Sequence, residues 1–230
     1  MEWWSVPKMW DGGDCWIIGG GVSMPRQFGI PESVIEGVSS RQDPVSVYSD
    51  YLSQLHNKNV IGVNISFMLG DWVSVLYFCD TAFYRVYHKE INAFHNLKVT
   101  CVNHLPRTML PSTRNIKRLR RDMRKGLGRD PGLIQWNYNS GIAAMNFATH
   151  AGVKRIILLG FDMKPLEGKT HYHSGIRNYR NSTVPATFRK FLRSFPNVVT
   201  DAKKMKVEIL NVSPESALTC FRKVKLEEVL

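Results

Sequence analysis

The chain has 230 residues, 43% of them hydrophobic, and it carries a formal net charge of +12 with an isoelectric point of about 9.7. This size and hydrophobic content suffice to bury a core, so we expect a single domain over residues 1–230 and exclude a disordered chain. No apolar run reaches the ~18 residues that a membrane span needs. The positive charge favours anionic partners, such as nucleic acid, anionic membrane or phosphorylated ligands, without choosing among them.

The cysteines and the first residues of the sequence indicate where the protein resides. The four cysteines form no close pair along the sequence, and three of them lie in apolar runs, where buried free thiols are common. The sequence begins Met-Glu-Trp-Trp, without a basic region followed by a long apolar one, so we expect no secretory signal. These features predict a cytoplasmic protein without a disulfide framework.

A glycine cluster follows the first predicted strand, Cys15–Ile18. Glycines let the backbone turn tightly, and the N–H groups of such a turn can bind a phosphate; a simple tight turn is the alternative. The cluster is not a Walker sequence, and it lacks the last glycine of the dinucleotide fingerprint, where Met24 stands. The predicted phosphate or nucleotide contacts are Gly19, Gly20, Gly21 and Ser23.

Strands and helices alternate in the next part of the chain, which argues for a parallel α/β sheet. The predicted elements are a short helix at 32–38, a helix at 45–56, strands at 60–64 and 73–80, a helix at 82–94 and a strand at 97–102. Two of these strands end in polar residues, Asn64 and Asp80. Ligands bind beyond the carboxyl ends of strands in open α/β sheets, so we expect both residues to face a ligand. Alternatively, Asn and Asp start turns there.

A basic segment at about 105–130 interrupts this pattern, and Asn115–Lys125 within it fits a helix with a narrow apolar seam. A solvated surface, a polyanion-binding surface and a mobile lid over a phosphorylated donor are all consistent with such a segment. The candidate polyanion-binding residues are Arg114, Lys117, Arg118, Arg120, Arg121, Arg124 and Lys125.

The most informative stretch runs from residue 139 to residue 163. Asn139 or Ser140 can cap a helix that Gly152 ends. The apolar run Ile156–Leu159 is typical of a parallel strand covered on both faces. The predicted donor-binding residues of this stretch are Asn139, Ser140, Gly141 and Asp162.

Two histidines, His171 and His173, lie in the polar segment after this strand. A neutral histidine suits proton abstraction near neutral pH, so we predict one of them as a catalytic base. A metal pair would need further ligands, and no cysteine or carboxylate cluster is near; a plain loop is the third interpretation. A helix at 186–195, a last strand at 207–212 and a short helix from Ser213 complete the chain.

Short motifs between residues 15 and 221 occur in an order typical of one enzyme family. Residues 17–24 are similar to its opening Ile-Ile-x-Gly-Asn-Gly-Pro-Ser-Leu, residues 139–141 to its Thr-Ser-Gly, and residues 159–162 to its Ser-Gly-Ile-Asp. With these motifs the chain resembles the bacterial CMP-sialate-dependent sialyltransferases that have a single Rossmann-like domain. A related opening occurs in the 6-hydroxymethylpterin diphosphokinase-like family and in many phage proteins.

The resemblance implies an α/β fold with a Rossmann-like parallel sheet flanked by helices, to which the basic segment at about 105–130 adds a helical insertion or lid. It also implies that Asn64 lies near a nucleotide and that residues 171–173 carry the catalytic base. The chain departs from the family pattern at several positions. Gly20 and Asp80 replace asparagines, Asn137 replaces an arginine, and the tyrosines that hold the leaving phosphate are not evident.

Three functions remain open at this point. The first is a transferase that uses a nucleotide-activated donor, a glycosyltransferase with a histidine base, without a cofactor and without a metal because the sequence has no Asp-x-Asp pair. The second is a nucleic-acid-binding or DNA-modifying phage protein on the same scaffold, acting in the host cytoplasm. The third is a pterin-type diphosphokinase, which would require Mg²⁺.

Overall fold

The computed structural model describes residues 3–103, 105, 115–173 and 185–230. The strands are β1 (Asp14–Ile18), β2 (Val60–Val63), β3 (Val75–Phe78), β4 (Leu97–Thr100), β5 (Ile116–Arg118), β6 (Arg120–Asp122), β7 (Leu133–Gln135), β8 (Arg155–Leu159), β9 (Glu208–Asn211) and β10 (Arg222–Lys223). The helices are α1 (Ser23–Gln27), α2 (Glu32–Ser39), α3 (Thr81–Ala93), α4 (Ser140–His150), α5 (Pro185–Leu192) and α6 (Phe195–Met205). Short 3₁₀ helices occupy Val45–Tyr48, Asp50–Leu55, Asn64–Leu69 and Leu226–Glu228.

Eight strands form one sheet in the order β10-β9-β8-β1-β2-β3-β4-β5, and β6 pairs with β7 beside it. Every pairing in both sheets is parallel. The chain builds outward from β1 to β5 and then returns to β8 on the other side of β1, so the strand order reverses between β1 and β8. Such a reversal opens a crevice at the carboxyl ends of the strands. The predicted α/β fold with a Rossmann-like parallel sheet is confirmed.

The sheet is buried on both faces, which explains the continuous apolar runs of its central strands. Neighbouring side chains in one strand enter opposite layers: Ile17 packs into the layer that contains α4 and α6, and Trp16 into the layer that contains α2 and α3. Helix α4 is buried along nearly its whole length. Its sequence is apolar on all sides, as expected of a helix enclosed by the core.

Three local predictions were wrong. The helix predicted over Asn115–Lys125 is absent; β5 and β6 occupy these residues. The open edge of β4 offers backbone groups for pairing, and β5 takes them, with Leu119 N–H then donating to Thr100 O at 2.9 Å. The helix predicted over 45–56 is two 3₁₀ helices, and the helix predicted from Ser213 is a turn. Within the described ranges, no helix has both the length and the hydrophobicity that crossing a bilayer requires.

Candidate functional site

The carboxyl edge of the sheet opens into a cavity with a volume of about 610 Å³. The loops after β1, β2, β3 and β8 and the first turn of α4 form its walls. The structure thereby brings together residues that are far apart in the sequence. The predicted site residues that line the cavity are Gly19, Gly20, Gly21, Asn64, Asp80, Asn139, Ser140, Gly141, Asp162, His171 and His173.

The turn after β1 is occupied by groups of the protein itself: its glycines donate to backbone carbonyls, and Ser23 binds the Asp162 carboxylate. Gly19 N–H donates to Leu159 O and Gly21 N–H to Gly160 O, both at 2.8 Å. The N–H and hydroxyl groups of Ser23 donate to the Asp162 carboxylate at 3.0 and 2.5 Å. The prediction that the N–H groups of this turn hold a ligand phosphate therefore needs correction.

One N–H group of the turn, that of Gly20, is still available to a ligand. No described residue accepts a hydrogen bond from the Gly20 N–H. Ser23 lies behind the cavity wall, where its hydroxyl orients Asp162. Burial raises the pKa of Asp162, and the hydrogen bonds from Ser23 oppose that rise by stabilising the charged form.

Both histidines are packed directly over Gly20. A Cβ atom at this position would lie 2.6 Å from His171 Cδ2 and 3.1 Å from His173 Nε2. The backbone confirms the contact, since Tyr172 N–H donates to Gly20 O at 3.0 Å. The two rings have their centroids 4.9 Å apart. The histidines therefore fill the space that any side chain at position 20 would need, so glycine at this position is a steric requirement of the arrangement.

A short chain of hydrogen bonds fixes the histidine loop to the sheet. The buried Tyr172 hydroxyl donates to Ser66 Oγ at 2.9 Å, and the Ser66 hydroxyl donates to Gly19 O at 3.0 Å. Tyr172 and Ser66 are almost inaccessible to solvent. Because each donor in the chain is buried and paired, the positions of both histidines are set by the core.

Burial keeps both imidazoles neutral. It lowers the pKa of His171 to about 4, and it lowers the pKa of His173 to about 3 with a further contribution from the neighbouring His171. The charged form of an imidazole is disfavoured where water is excluded. At neutral pH each ring is therefore unprotonated and keeps a nitrogen lone pair for a hydrogen bond, although the same burial makes each ring a weaker base.

These pKa shifts predict how stability depends on pH. In the unfolded chain a histidine takes up a proton near pH 6.5, whereas in the folded protein His171 and His173 do so near pH 4 and 3. The unfolded state thus binds more protons below pH 7, and the free energy of unfolding should fall as the pH drops from 7 to 4. Denaturant unfolding at pH 7, 6 and 5 measures this fall. The double variant His171→Gln/His173→Gln should show a shallower fall; an unchanged slope would contradict the assignment.

Two asparagines that line the cavity each have a buried polar atom without a partner among the described residues. Asn139 Oδ1 caps α4 as predicted, accepting from Gly141 N–H at 2.8 Å and Ile142 N–H at 3.2 Å. Asn139 Nδ2 and Asn64 Oδ1 are buried, and neither has a hydrogen-bond partner among the described residues. An unpaired buried polar atom costs about 1–3 kcal/mol. Both residues line the cavity, so these two atoms lie just behind its wall.

Asp80 combines both roles considered for it from the sequence. Its carboxylate caps α3 by accepting from Ala82 N–H at 2.7 Å, and the residue also lines the cavity. The N-termini of α3 and α4 consequently meet the cavity side by side. The two helix dipoles favour negative charge at this end of the cavity, where the Asp80 carboxylate already supplies one negative charge.

The residues of the basic segment differ in their position relative to the cavity. Among its described members, only Arg121 lines the wall. Arg120 pairs with Asp130 and Arg124 with Asp122, while Arg118 donates to the Val102 and Asn103 carbonyl groups. Lys117 and Lys125 are exposed, and Arg114 lies outside the described residues. Polyanion binding by the exposed members stays a prediction.

Sequence reasoning missed two aromatic residues of the wall, Trp136 and Tyr138. Their position immediately before the Asn139-Ser140-Gly141 motif was the signal that could have identified them. The described ranges contain no group of three His, Cys, Asp or Glu side chains placed to hold a metal ion.

The chain is similar to two solved structures, and the first of them shares its fold. The MAf glycosyltransferase from Magnetospirillum magneticum AMB-1 matches 99% of the chain with a TM-score of 0.58 and 11% sequence identity, and the chain spans 36% of that protein. The sialyltransferase CstII from Campylobacter jejuni, in complex with cytidine-5'-monophosphate, matches 93% of the chain and 85% of its own length, with a TM-score of 0.49 and 12% identity. No protein-family model and no curated protein matches the sequence.

Proposed function

We propose that the protein is a transferase that moves a sugar from a nucleotide-activated donor to a hydroxyl acceptor. One observation carries the proposal: a neutral histidine pair, fixed over Gly20, shares a cavity with Asn64 and Asn139. The pair supplies a proton acceptor, and the amides supply hydrogen-bonding groups for a polar ligand. A fold shared with a glycosyltransferase is consistent with this chemistry.

The proposed reaction assigns a role to each part of the site. A histidine nitrogen accepts the proton of the acceptor hydroxyl as its oxygen attacks the anomeric carbon of the donor sugar. A new carbon–oxygen bond forms there, and the bond from that carbon to the phosphate oxygen breaks. The nucleotide leaves with the electron pair. Asn64 and Asn139 hold the donor by hydrogen bonds, and fixed positive groups stabilise the charge that builds on the leaving phosphate.

We further propose that the reaction needs no divalent metal. The sequence has no Asp-x-Asp pair to hold one next to a diphosphate. Arg121 and the helix dipoles at the ends where α3 and α4 begin would stabilise the leaving phosphate instead. Turnover should then be the same with EDTA as without it.

Titration calorimetry with CMP-, UDP- and GDP-sugars, combined with a donor-hydrolysis assay, tests the proposal. We expect one donor to bind and to be hydrolysed slowly in the absence of an acceptor. Asn64→Ala should weaken donor binding about 10-fold, because it removes a hydrogen bond to the ligand. The matched control is Asn197→Ala, on the exposed face of α6 and outside the cavity. Failure of every donor to bind the wild-type protein would refute the proposed function.

A further inference from the structure

Arg121 is held in a fixed orientation at the cavity wall. Its Nε donates to Cys101 O and its Nη2 to Cys79 O, both at 2.9 Å. Its guanidinium carbon lies 3.9 Å from the centroid of a Trp136 ring. Neither hydrogen bond uses Nη1, and no described carboxylate forms an ion pair with the group.

Arg121 is also the one Lys or Arg side chain among the described residues that line the cavity. A planar guanidinium presents its N–H groups in a fork that matches phosphate oxygens. Because the backbone carbonyls of Cys79 and Cys101 already fix this fork, binding a phosphate would order few further bonds. The side chain is thus prepared for an anionic ligand before that ligand arrives.

The histidines and Arg121 lie at opposite ends of the cavity. His171 and His173 are packed over Gly20, just beyond β1, whereas Arg121 contacts the carbonyls just beyond β3 and β4. Strand β2 lies between β1 and β3, and neighbouring strands are spaced by about 4.8 Å, so the two ends are separated by about 10 Å or more. In an in-line displacement the attacking and leaving oxygens lie on opposite sides of the reacting carbon. An acceptor at the histidines therefore places the leaving phosphate toward Arg121.

An aromatic wall continues from Arg121 to the mouth of the cavity. The rings of Trp136 and Tyr138 have centroids 4.4 Å apart, and Lys190 Nζ lies 4.8 Å from the Tyr138 ring. Tyr138 is 46% exposed and has a φ of +55°, which is rare for a tyrosine. Strained backbone and exposed aromatic rings are both found at ligand sites, and bases stack on aromatic side chains whatever their sequence.

We propose that this end of the cavity is the nucleotide subsite, with the phosphate bound to Arg121 and the base stacked on the exposed ring of Tyr138. The inference rests on the proposed function and adds the direction in which the donor lies. The inference also bears on one difference between this sequence and the sialyltransferase pattern. The phosphate-holding tyrosines of that pattern are not evident here, and Arg121, from a different part of the chain, takes their task.

Calorimetry with CMP, UMP, AMP and GMP, each paired with its nucleoside, tests the assignment. We expect the wild-type protein to bind one monophosphate at least about 10-fold more tightly than the matching nucleoside, because the phosphate adds a charge-assisted contact. Arg121→Gln should reduce that ratio to about 1 and leave nucleoside affinity nearly unchanged. Tyr138→Ala should weaken monophosphate and nucleoside alike, by about 10-fold. Arg120→Gln, from the same basic segment but outside the cavity, is the matched control.

The outcomes separate the two proposals. If the wild-type protein binds and hydrolyses a nucleotide donor but Arg121→Gln keeps the wild-type ratio, this inference fails and the proposed function stands. If no nucleotide binds the wild-type protein, both fail. Should Arg121→Gln not fold, Arg121→Lys carries the test. This variant keeps the positive charge but loses the forked N–H groups. Its ratio of nucleoside to monophosphate dissociation constants should therefore be above 1 but below the ratio measured for wild type and for Arg120→Gln.

Discussion

His171→Ala is expected to lower donor turnover by about 100- to 10,000-fold, the range typical of a lost general base. Of the two histidines, His171 is the less buried and has the higher pKa, about 4 against about 3. Its Nδ1 lies 3.0 Å from Thr170 Oγ1, so a neighbouring hydroxyl orients the ring, as in other activated bases. His173→Ala should cost only about 10-fold, because we assign His173 to supporting the first ring.

Steady-state kinetics with the best donor measures these effects. His88→Ala, on α3 and outside the cavity, serves as the control. Added imidazole should restore part of the activity of His171→Ala, which the loss of a merely structural residue would not permit. Equal turnover in His171→Ala and wild type would remove His171 from the mechanism, and a larger loss in His173→Ala would transfer the role of base to His173.

Gly21→Ala is expected to have the largest effect on stability of any single methyl group added at the site. The new Cβ would lie 2.5 Å from Gly160 O and 2.6 Å from Asp162 Cγ. The first is backbone, and the second is fixed by two hydrogen bonds from Ser23, so neither can move away at little cost. We expect the free energy of unfolding to fall by about 3 kcal/mol, the upper part of the range for overpacked sites.

Gly13→Ala provides the matched control at the other end of β1. Its Cβ would meet Trp10 O at 3.4 Å, an ordinary contact, so stability should change by less than about 1 kcal/mol. Urea unfolding of both variants measures the difference. If the two variants have the same stability, the close packing of β1 against the end of β8 is not as described.

Parts of the fold and the site that depend on short stretches of sequence could be predicted. Buried parallel strands such as Ile156–Leu159 are visible as apolar runs, and a residue at a strand end such as Asn64 reaches the site because parallel strands share one carboxyl edge. These features need only local sequence. The α/β fold and the convergence of most candidate residues could therefore be predicted.

Features that depend on pairing between distant segments could not be predicted from local sequence. The carboxylate of Asp162 fills the glycine turn through Ser23, which lies 139 residues away. Of the basic candidates in the described ranges, Arg121 is the one that reaches the cavity, because β5 pairs with the edge of β4. The local periodicity of this segment favoured a helix instead and so gave no sign of that pairing. No local pattern reports which sheet edge remains open for a later segment.

The hydrogen-bond chain from Tyr172 through Ser66 to Gly19 bears on how this scaffold can be re-engineered. It ties the proton-accepting groups to the core, so substitutions there would disturb chemistry and folding together. Tyr138 stands at the surface and belongs to no such chain in the described structure. Libraries that aim to exchange one donor for another should therefore randomise position 138 and leave the histidine loop intact.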